Sequence, residues 1–293
     1  MSDKKVVIAL GYFDGVHKGH KVVLDTALKK ADETSALSVA FTFGGNLRGK
    51  LFGGKCIFTS KERAEILLDM GFSEIYTAPV TDEFLALSPL EFLDFINKKY
   101  AITHYVCGED YRFGKGGAGD VLLLRKYADE KGQSVIVCQD VYEKGEKVSS
   151  TLIKSALNSG DISRANILLG RDYFITGTVV ADRGVGRLLG FPTVNFKVDN
   201  EKSELKNGVY AGYSVIDGVE YKAVINYGGR PTFNLSEKLV EAHLIGFSGS
   251  LYGKNVRVCF MRQLRDIKKF DGDEELKKQL KSDVDDALNG GNI

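Results

Sequence analysis

Ten residues near the start of the chain combine side chains that could act on a phosphate or a metal. Residues 11–20 read GYFDGVHKGH and hold two of the four histidines, His17 and His20. They follow the apolar run VVIAL, which predicts a strand, and they lead into a helical pattern. Glycines allow a tight turn there, and a helix N-terminus favours anions. A phosphate site, a metal site and an ordinary helix-capping turn are all open interpretations.

A metal site at these two histidines lacks further ligands. His104 and His243 are remote in sequence, and no cysteine lies near the decapeptide. Zinc sites in proteins use three or four nitrogen, sulfur or oxygen ligands. In an open parallel sheet, ligands bind beyond the carboxyl ends of the strands, which is where the decapeptide lies. Phosphate recognition is therefore the favoured interpretation.

A second set of polar residues lies in the C-terminal half of the chain. Residues 177–195 read GTVVADRGVGRLLGFPTVN, a strand followed by a glycine-bearing loop whose N–H groups could hold phosphates. Thr193 and Asn195 point to the same side of an extended segment, and their oxygens suit magnesium. Strand alternation in VEAHLI puts Glu241 and His243 on one face, where a lone acidic residue would more often face solvent.

Two types of element must position these residues. The first half alternates strand-like and helix-like segments, which predicts a parallel sheet wrapped by helices. After about residue 170, short runs rich in Val, Tyr, Phe and Ile are broken by Gly, which predicts an antiparallel sheet or small barrel. The predicted strands of the first half are residues 6–10, 37–43, 74–77, 104–107 and 134–138. The predicted helices are residues 20–32, 61–70, 89–99, 120–131, 151–159, 162–169 and 274–288, the third of them opened by a capping box of Ser88 and Glu91.

Length and composition limit the number of domains, the classes of partner and the location that we expect. A chain of 293 residues favours two domains, with one large domain as the alternative. Lys and Arg number 40 against 39 Asp and Glu, so charge gives no support for nucleic-acid or anionic-membrane binding. The four cysteines are far apart, which suits a reducing cytoplasm. With neither a signal peptide nor an apolar run of membrane-spanning length, we expect a cytosolic protein.

The decapeptide resembles the G-x-F-D-G-x-H-x-G-H signature of the FMN adenylyltransferase module of prokaryotic bifunctional riboflavin kinase/FAD synthetases. Residues 107–116, CGEDYRFGKG, and residues 149–154, SSTLIK, resemble two further motifs of that module. The resemblance implies a Rossmann-like nucleotidyltransferase domain in which His17 and His20 are catalytic and stabilise charge on the phosphates of ATP. It also implies nucleotide contacts from Gly11, Phe13, Asp14, Asp110, Ser150, Thr151 and Lys154.

The stretch ending at Asn195 resembles the riboflavin kinase signature G-R-x-L-G-F-P-T-x-N. The resemblance implies that Thr193 and Asn195 bind the Mg²⁺ of Mg-ATP and that Glu241 activates the terminal ribityl hydroxyl of riboflavin. Residues Gly184, Gly186 and Arg187 would belong to a loop that closes over the phosphates. Arg265 would lie beside the flavin, in a C-terminal antiparallel β-barrel that ends in a helix.

Together the resemblances imply an adenylyltransferase domain at 1–170 and a kinase domain at 171–293. The expected reactions convert riboflavin to FMN and FMN to FAD, with ATP and Mg²⁺, and without nucleic-acid or membrane partners. The chain also departs from the family, since FGGNL follows Thr42 where many members have F-(D/E)-P-H-P, Lys154 replaces an arginine, and Ala181 and Asp182 replace a His-Gly pair. A monofunctional riboflavin kinase and a non-catalytic flavin or nucleotide sensor are the alternatives.

Overall fold

The computed structural model describes residues 4–181, 190–229 and 238–289. Contacts between residues divide the chain into two compact units, a first unit of Met1–Ser150 and a second unit of Thr151–Ile293. Two helices that the sequence analysis assigns to the N-terminal domain fall in the second unit by this division. The assignment of one activity to residues 1–170 and the other to residues 171–293 stays a prediction.

A parallel sheet of five strands forms the core of the first unit. The strand order is β3-β2-β1-β4-β5, and every neighbouring pair is parallel, as predicted. β1 is buried from its second residue onward, because helices cover both faces of such a sheet. The strands are β1 (Lys5–Leu10), β2 (Leu37–Phe43), β3 (Glu74–Ala78), β4 (Ala101–Gly108) and β5 (Ser134–Cys138).

Helices and one small hairpin connect these strands. The helices are α1 (Lys18–Glu33), α2 (Leu47–Phe52), α3 (Ser60–Asp69), α4 (Asp82–Leu85), α5 (Pro89–Lys99) and α6 (Val121–Glu130), and the hairpin is β6 (Tyr142–Glu143) with β7 (Glu146–Lys147). The predicted capping box opens α5: Ser88 accepts a hydrogen bond from Glu91 N, and the Glu91 carboxylate accepts one from Ser88 N. α2 and α4 were not predicted, because elements of four to six residues carry too little periodicity.

Aromatic rings pack at the carboxyl end of the sheet in the first unit. Phe41 meets Phe92 edge to face, with ring centroids 5.3 Å apart, and Phe92 also contacts Phe84 and Phe113. Phe41, Phe92 and Phe113 are buried members of the main core cluster, against which Phe84 packs. This packing fixes the loops that leave β2 and β4, since close-packed interiors allow little displacement.

An antiparallel sheet forms the second unit, as predicted. Its strands are β8 (Tyr173–Thr178), β9 (Val194–Lys197), β10 (Gly208–Ile216), β11 (Val219–Gly228), β12 (Leu239–Leu244) and β13 (Asn255–Arg265), in the order β8-β13-β10-β11-β12-β9. Just beyond β8, Val180 forms an antiparallel bridge with Asn195 of β9, and Val180 N donates to Asn195 O. This bridge joins the two edges of the sheet, so the sheet closes into a small barrel.

Three helices complete the second unit. α7 (Ser150–Ser159) and α8 (Ile162–Leu169) precede the barrel, and α9 (Asp273–Asn289) follows it. α8 packs on β8 and β13, while α9 packs on β10, β11 and β13. None of the helices in the described part of the chain is long and apolar enough to cross a membrane.

Candidate active sites

The loop after β1 holds an unusual backbone conformation. Phe13 has φ 53°, Gly15 has φ 83° and Val16 has φ 42°. Positive φ is cheap for Gly15 but strained for a β-branched residue such as Val16. Phe13 and Val16 are both buried, so packing holds the strained conformation in place. Strain maintained in this way is typical of functional loops.

Hydrogen bonds of Asp14 hold this loop in place. Its side chain is buried, and Oδ1 accepts a hydrogen bond of 2.7 Å from Ile57 N. Its carbonyl oxygen accepts a bond of 3.0 Å from Ser150 Oγ. Asp14 thereby ties the loop after β1 to the segment before α3 and to Ser150, the last residue of the first unit. The predicted nucleotide contact of Asp14 stays a prediction, because this residue is not on the wall of the cavity described below.

His17 and His20 lie against each other at the start of α1. Their rings are stacked, with centroids 3.6 Å apart and planes 15° apart. His17 is the N-cap of α1, and its Nδ1 accepts a hydrogen bond from His20 N. A neutral His17 therefore carries its proton on Nε2. His20 Nδ1 is buried and has no hydrogen-bond partner among the described residues.

Both histidines are held in the neutral form. Burial lowers the pKa of His17 to about 4, against a smaller opposing effect of Asp14. Burial also lowers the pKa of His20 well below its ordinary value, and the neighbouring His17 and the positive charge of Arg63 add to this effect. Two cationic rings could not stack at this distance without strong repulsion. At neutral pH the pair therefore offers N–H donors rather than positive charges.

The structure gives no support to the metal interpretation of these histidines. Within the described ranges, no group of three or more His, Cys, Asp or Glu side chains is arranged to hold a metal ion. One nitrogen of His17 is already committed to the helix cap. The pair is better placed to donate hydrogen bonds to an anion.

A cavity of about 860 Å³ opens beside the two histidines. Its polar wall comes from the ends of β1, β4 and β5 and from the hairpin, and its apolar wall comes from aromatic and leucine side chains. The polar wall includes Gly11, His17, His20, Gly108, Asp110, Gln139, Asp140, Lys147, Ser149 and Ser150. The apolar wall includes Phe13, Phe43, Leu47, Leu51, Phe84, Leu87, Phe92, Tyr111 and Phe113. Such a cavity suits a ligand that is flat and apolar at one end and phosphorylated at the other.

The structure thus brings together Gly11, Phe13, His17, His20, Asp110 and Ser150, six of the predicted residues of the adenylyltransferase site. Thr151 and Lys154 lie in the first turns of α7, in the second unit. Their predicted contacts with the nucleotide stay predictions.

Sequence reasoning missed Lys147, at the end of the hairpin. Its Nζ lies 3.0 Å from Asp110 Oδ2 and 2.5 Å from Asp140 Oδ2, and all three residues line the cavity. The hydrogen bond with Asp140 is the main reason that the pKa of Lys147 lies above its ordinary value. A second ion pair, of Lys18 with Glu143, ties the hairpin to the start of α1. The position of Lys147, two residues before the predicted Ser149 motif, was the available signal.

A short helix, α2, follows the segment that stands where many family members have F-(D/E)-P-H-P. Asn46 opens α2, since its Oδ1 accepts a hydrogen bond from Gly49 N and its Nδ2 donates to Gly54 O, both at 2.8 Å. Leu47 and Leu51 of this helix line the apolar wall of the cavity. Leu47, which stands at the last proline of that motif, thus contributes an apolar side chain to the cavity.

The second site lies on the barrel, where β9 and β12 pair. Asn195 is directly opposite Glu241 in the register of these strands. Thr193 Oγ1 donates to Glu241 Oε1 at 3.3 Å, and Asn195 Nδ2 donates to Thr193 Oγ1 at 3.1 Å. Asn226 of β11, which the predicted site residues do not include, donates to Glu241 Oε2 at 3.5 Å. The three predicted residues are thus within one hydrogen-bonded group.

The amide oxygen of Asn195 fits a bound cation. The side chain is 6% exposed, and Oδ1 is buried without a hydrogen-bond donor among the described residues. A buried polar oxygen without a partner is costly, and magnesium prefers oxygen ligands of this kind. Thr193 Oγ1 lies next to it. These two oxygens are the ones that could hold Mg²⁺.

His243 supports the segment that carries Thr193. Its Nδ1 lies 2.9 Å from Pro192 O, and its ring meets Phe191 edge to face. His243 thereby fixes the residues just before Thr193. The predicted loop residues Gly184, Gly186 and Arg187 lie outside the described residues.

Arg265, predicted to lie beside a flavin, is engaged with α9. Its Nε and Nη2 donate to the Asp283 carboxylate, with Nη2 to Oδ2 at 2.7 Å, and Asp283 is 1% exposed. Its Nη1 donates to Asp266 O. The contact attaches α9 to the barrel, and a flavin contact of Arg265 stays a prediction.

Comparison with known proteins covers both parts of the chain. The family model described as FAD synthetase matches residues 1–152, and the model described as riboflavin kinase matches residues 169–290. The bifunctional riboflavin kinase/FMN adenylyltransferase of Bacillus subtilis is 33% identical over 97% of this chain and 92% of the relative. That of Escherichia coli K12 is 30% identical over 94% of this chain and 90% of the relative.

A solved structure has a similar fold. A protein from Streptococcus pneumoniae, described as a macrolide-efflux protein, is 30% identical and has a TM-score of 0.86, covering 99% of this chain and 96% of that one. The two family models and the near full-length identity to the curated relatives lead to one conclusion. This chain belongs to the family of bifunctional riboflavin kinase/FMN adenylyltransferases.

Proposed function

We propose that the chain catalyses two ATP-dependent reactions in flavin cofactor synthesis. The second unit transfers the terminal phosphoryl group of ATP to riboflavin and forms FMN and ADP. The first unit transfers AMP from a second ATP to FMN and forms FAD and pyrophosphate. The observation that supports this proposal best is the presence of both hydrogen-bonded residue groups, at Glu241 and at His17, in a chain of this family.

In the kinase reaction, Glu241 accepts the proton of the terminal ribityl hydroxyl as its oxygen bonds to the γ-phosphorus and the bond to the β-phosphate oxygen breaks. The hydrogen bonds from Thr193 and Asn226 fix the orientation of the Glu241 carboxylate. Thr193 and Asn195 are the residues that would hold Mg²⁺, which offsets phosphate charge when bound.

In the adenylyl transfer, a phosphate oxygen of FMN attacks the α-phosphorus of ATP, and the bond to the β-phosphate oxygen breaks, so pyrophosphate leaves. His17 and His20 donate N–H hydrogen bonds to the phosphate oxygens as charge builds up. Their neutral state suits this role, since each ring can donate an N–H without carrying a positive charge. The strained loop and the ring stacking fix the positions of both rings before the substrate binds. The polar wall faces the phosphates, and the apolar wall accepts the isoalloxazine ring.

Chromatography of flavins from a reaction of riboflavin, ATP and Mg²⁺ tests the proposal. We expect FMN to appear first and FAD to follow. Formation of FMN but not of FAD, even when FMN is supplied directly, would indicate a monofunctional riboflavin kinase. The changed segment at residues 44–47 and Lys154 are the reasons for that alternative. If neither flavin product forms, the proposal is wrong and a non-catalytic sensor is favoured.

A further inference from the structure

One charged side chain in the first unit has no role in the reactions described so far. Arg63 lies in the first turn of α3, and its side chain is 0% exposed. Nη2 donates to Phe43 O at the end of β2. Its Nε and Nη1 are buried and make no hydrogen bond within the described residues.

The surroundings of Arg63 do not neutralise its charge. The described part of the chain provides no carboxylate in an ion pair with it, although buried charges in proteins are normally paired. Its position at a helix N-terminus adds to the cost, because the helix dipole is unfavourable to a cation there. Burial, the lack of a paired carboxylate in the described part of the chain and the position at a helix N-terminus are thus all unfavourable to the cation of Arg63.

Arg63 lies directly behind the polar wall of the cavity. Its guanidinium carbon is 4.7 Å from the centre of the Tyr12 ring, which makes a cation–π contact. Tyr12 lines the cavity beside His20. Burial lowers the pKa of His20, and the charge of Arg63 adds to this effect. Burial raises the pKa of Tyr12 to about 12, and the charge of Arg63 offsets part of that rise.

We propose that Arg63 is a positioning residue of the adenylyltransferase site whose missing counter-charge is supplied by the phosphates of the bound nucleotide. In the empty site the guanidinium is an uncompensated buried cation. When ATP binds, its phosphates lie on the other side of Tyr12 and His20, where little water separates the charges, and the attraction is correspondingly strong. The proposal rests on adenylyl transfer as the function of the first unit.

Whether replacement of Arg63 lowers or raises the stability of the ligand-free protein distinguishes this role from a structural one. A residue kept for structure stabilises the empty protein, and its removal lowers the thermal midpoint. A buried cation without a partner does the reverse, because an apolar side chain of similar size is often neutral or stabilising in its place. Arg63→Met should therefore leave the thermal midpoint of the ligand-free full chain unchanged or raise it.

The kinetic test uses the two activities of the same chain. In Arg63→Met we expect kcat/KM for ATP in FAD formation to fall roughly 10- to 100-fold, the loss of one interaction with a charged group. FMN formation from riboflavin should not change, which shows that the chain is folded. Arg63→Lys keeps the charge and should retain FAD formation within about tenfold of the wild type, although it lacks the planar fork of arginine. Arg125→Met, at an exposed arginine of α6, is the matched control and should change neither activity.

Two results would overturn the proposal. One is FAD formation in Arg63→Met that equals the wild type. The other is a ligand-free thermal midpoint that falls more in Arg63→Met than in Arg125→Met, since this is the signature of a structural residue. Absence of FAD formation in the wild type is a different result, which contradicts the proposed function itself.

Discussion

Glu241 is held in place by hydrogen bonds on both of its carboxylate oxygens. Thr193 donates to Oε1 and Asn226 donates to Oε2, while Asn195 faces it across the strand pair. An isosteric amide can keep the contact with Thr193 but cannot accept a proton. Replacement of Glu241 by glutamine therefore removes the proton acceptor and keeps the contact with Thr193.

Glu241→Gln should reduce FMN formation at least about 100-fold, the usual lower limit for loss of a general base. FAD formation from supplied FMN should stay within twofold of the wild type, since the two sites lie on separate sheets. Rates of both reactions on the same preparation check this, with Glu220→Gln, an exposed position on β11, as the control. Parallel loss of both activities would contradict the assignment of Glu241.

The buried histidine pair should also govern stability at acidic pH. Burial lowers the pKa of His17 to about 4, whereas in the unfolded chain it keeps its ordinary value of 6.5. The unfolded chain therefore takes up a proton between these values and the folded chain does not, so stability is complete above pH 6.5 and is lost as the pH falls towards 4. From pH 6.5 to 5 the loss is roughly 2 kcal/mol.

His17→Asn removes this titration and keeps an acceptor for His20 N, because asparagine is a good N-cap. Chemical denaturation at pH 7 and at pH 5 measures the effect. The wild type should lose about 2 kcal/mol more than the variant between these two values. Equal losses in the two proteins would show that His17 is not held neutral by burial.

At the scale of elements, the hairpin of β6 and β7 places the cation of Lys147 beside two carboxylates of the cavity wall. Lys147 pairs with both Asp110 and Asp140, so without it two carboxylates would face the incoming phosphates. Lys147→Met should raise KM for ATP in FAD formation about tenfold through this repulsion. Steady-state kinetics over a range of ATP concentrations check this. Lys144→Met, at the exposed turn of the same hairpin, should have no effect, and a similar rise in both variants would assign the effect to the hairpin's general charge.

The long elements could be predicted from sequence because each carries several turns or pleats of periodicity. β2 and α5, with its capping box, have the predicted bounds. The hairpin and α2 were missed, since both are short and depend on tertiary contacts, as the Lys18–Glu143 pair and the Asn46 cap show. The motif residues His17, Asp110, Thr193 and Glu241 were accessible to sequence reasoning. Arg63 was not, because its significance lies in its burial, and for Lys147 the available signal was its position two residues before the Ser149 motif.

At the scale of the whole molecule, the contacts place α7 and α8 with the barrel. Ile162, Leu168 and Leu169 of α8 are at most 2% exposed. Asn166 Nδ2 donates to Phe260 O of β13, and its Oδ1 accepts from Tyr173 N at the start of β8. The side chain of one α8 residue thus bridges two strands of the barrel.

A fragment of residues 151–293 should accordingly be more stable than one of residues 171–293. Removal of α8 exposes apolar surface on β8 and β13 worth several kcal/mol, at roughly 1.5–3 kcal/mol for each buried leucine or isoleucine. It also leaves the Phe260 carbonyl and Tyr173 N–H without Asn166. Thermal unfolding and riboflavin phosphorylation by the two fragments test this, with the full chain as reference. We expect FMN formation from the longer fragment and a markedly lower midpoint, or aggregation, in the shorter one. Equal stability of the two fragments would place the boundary of the folded kinase near Arg171 and make α8 an accessory helix.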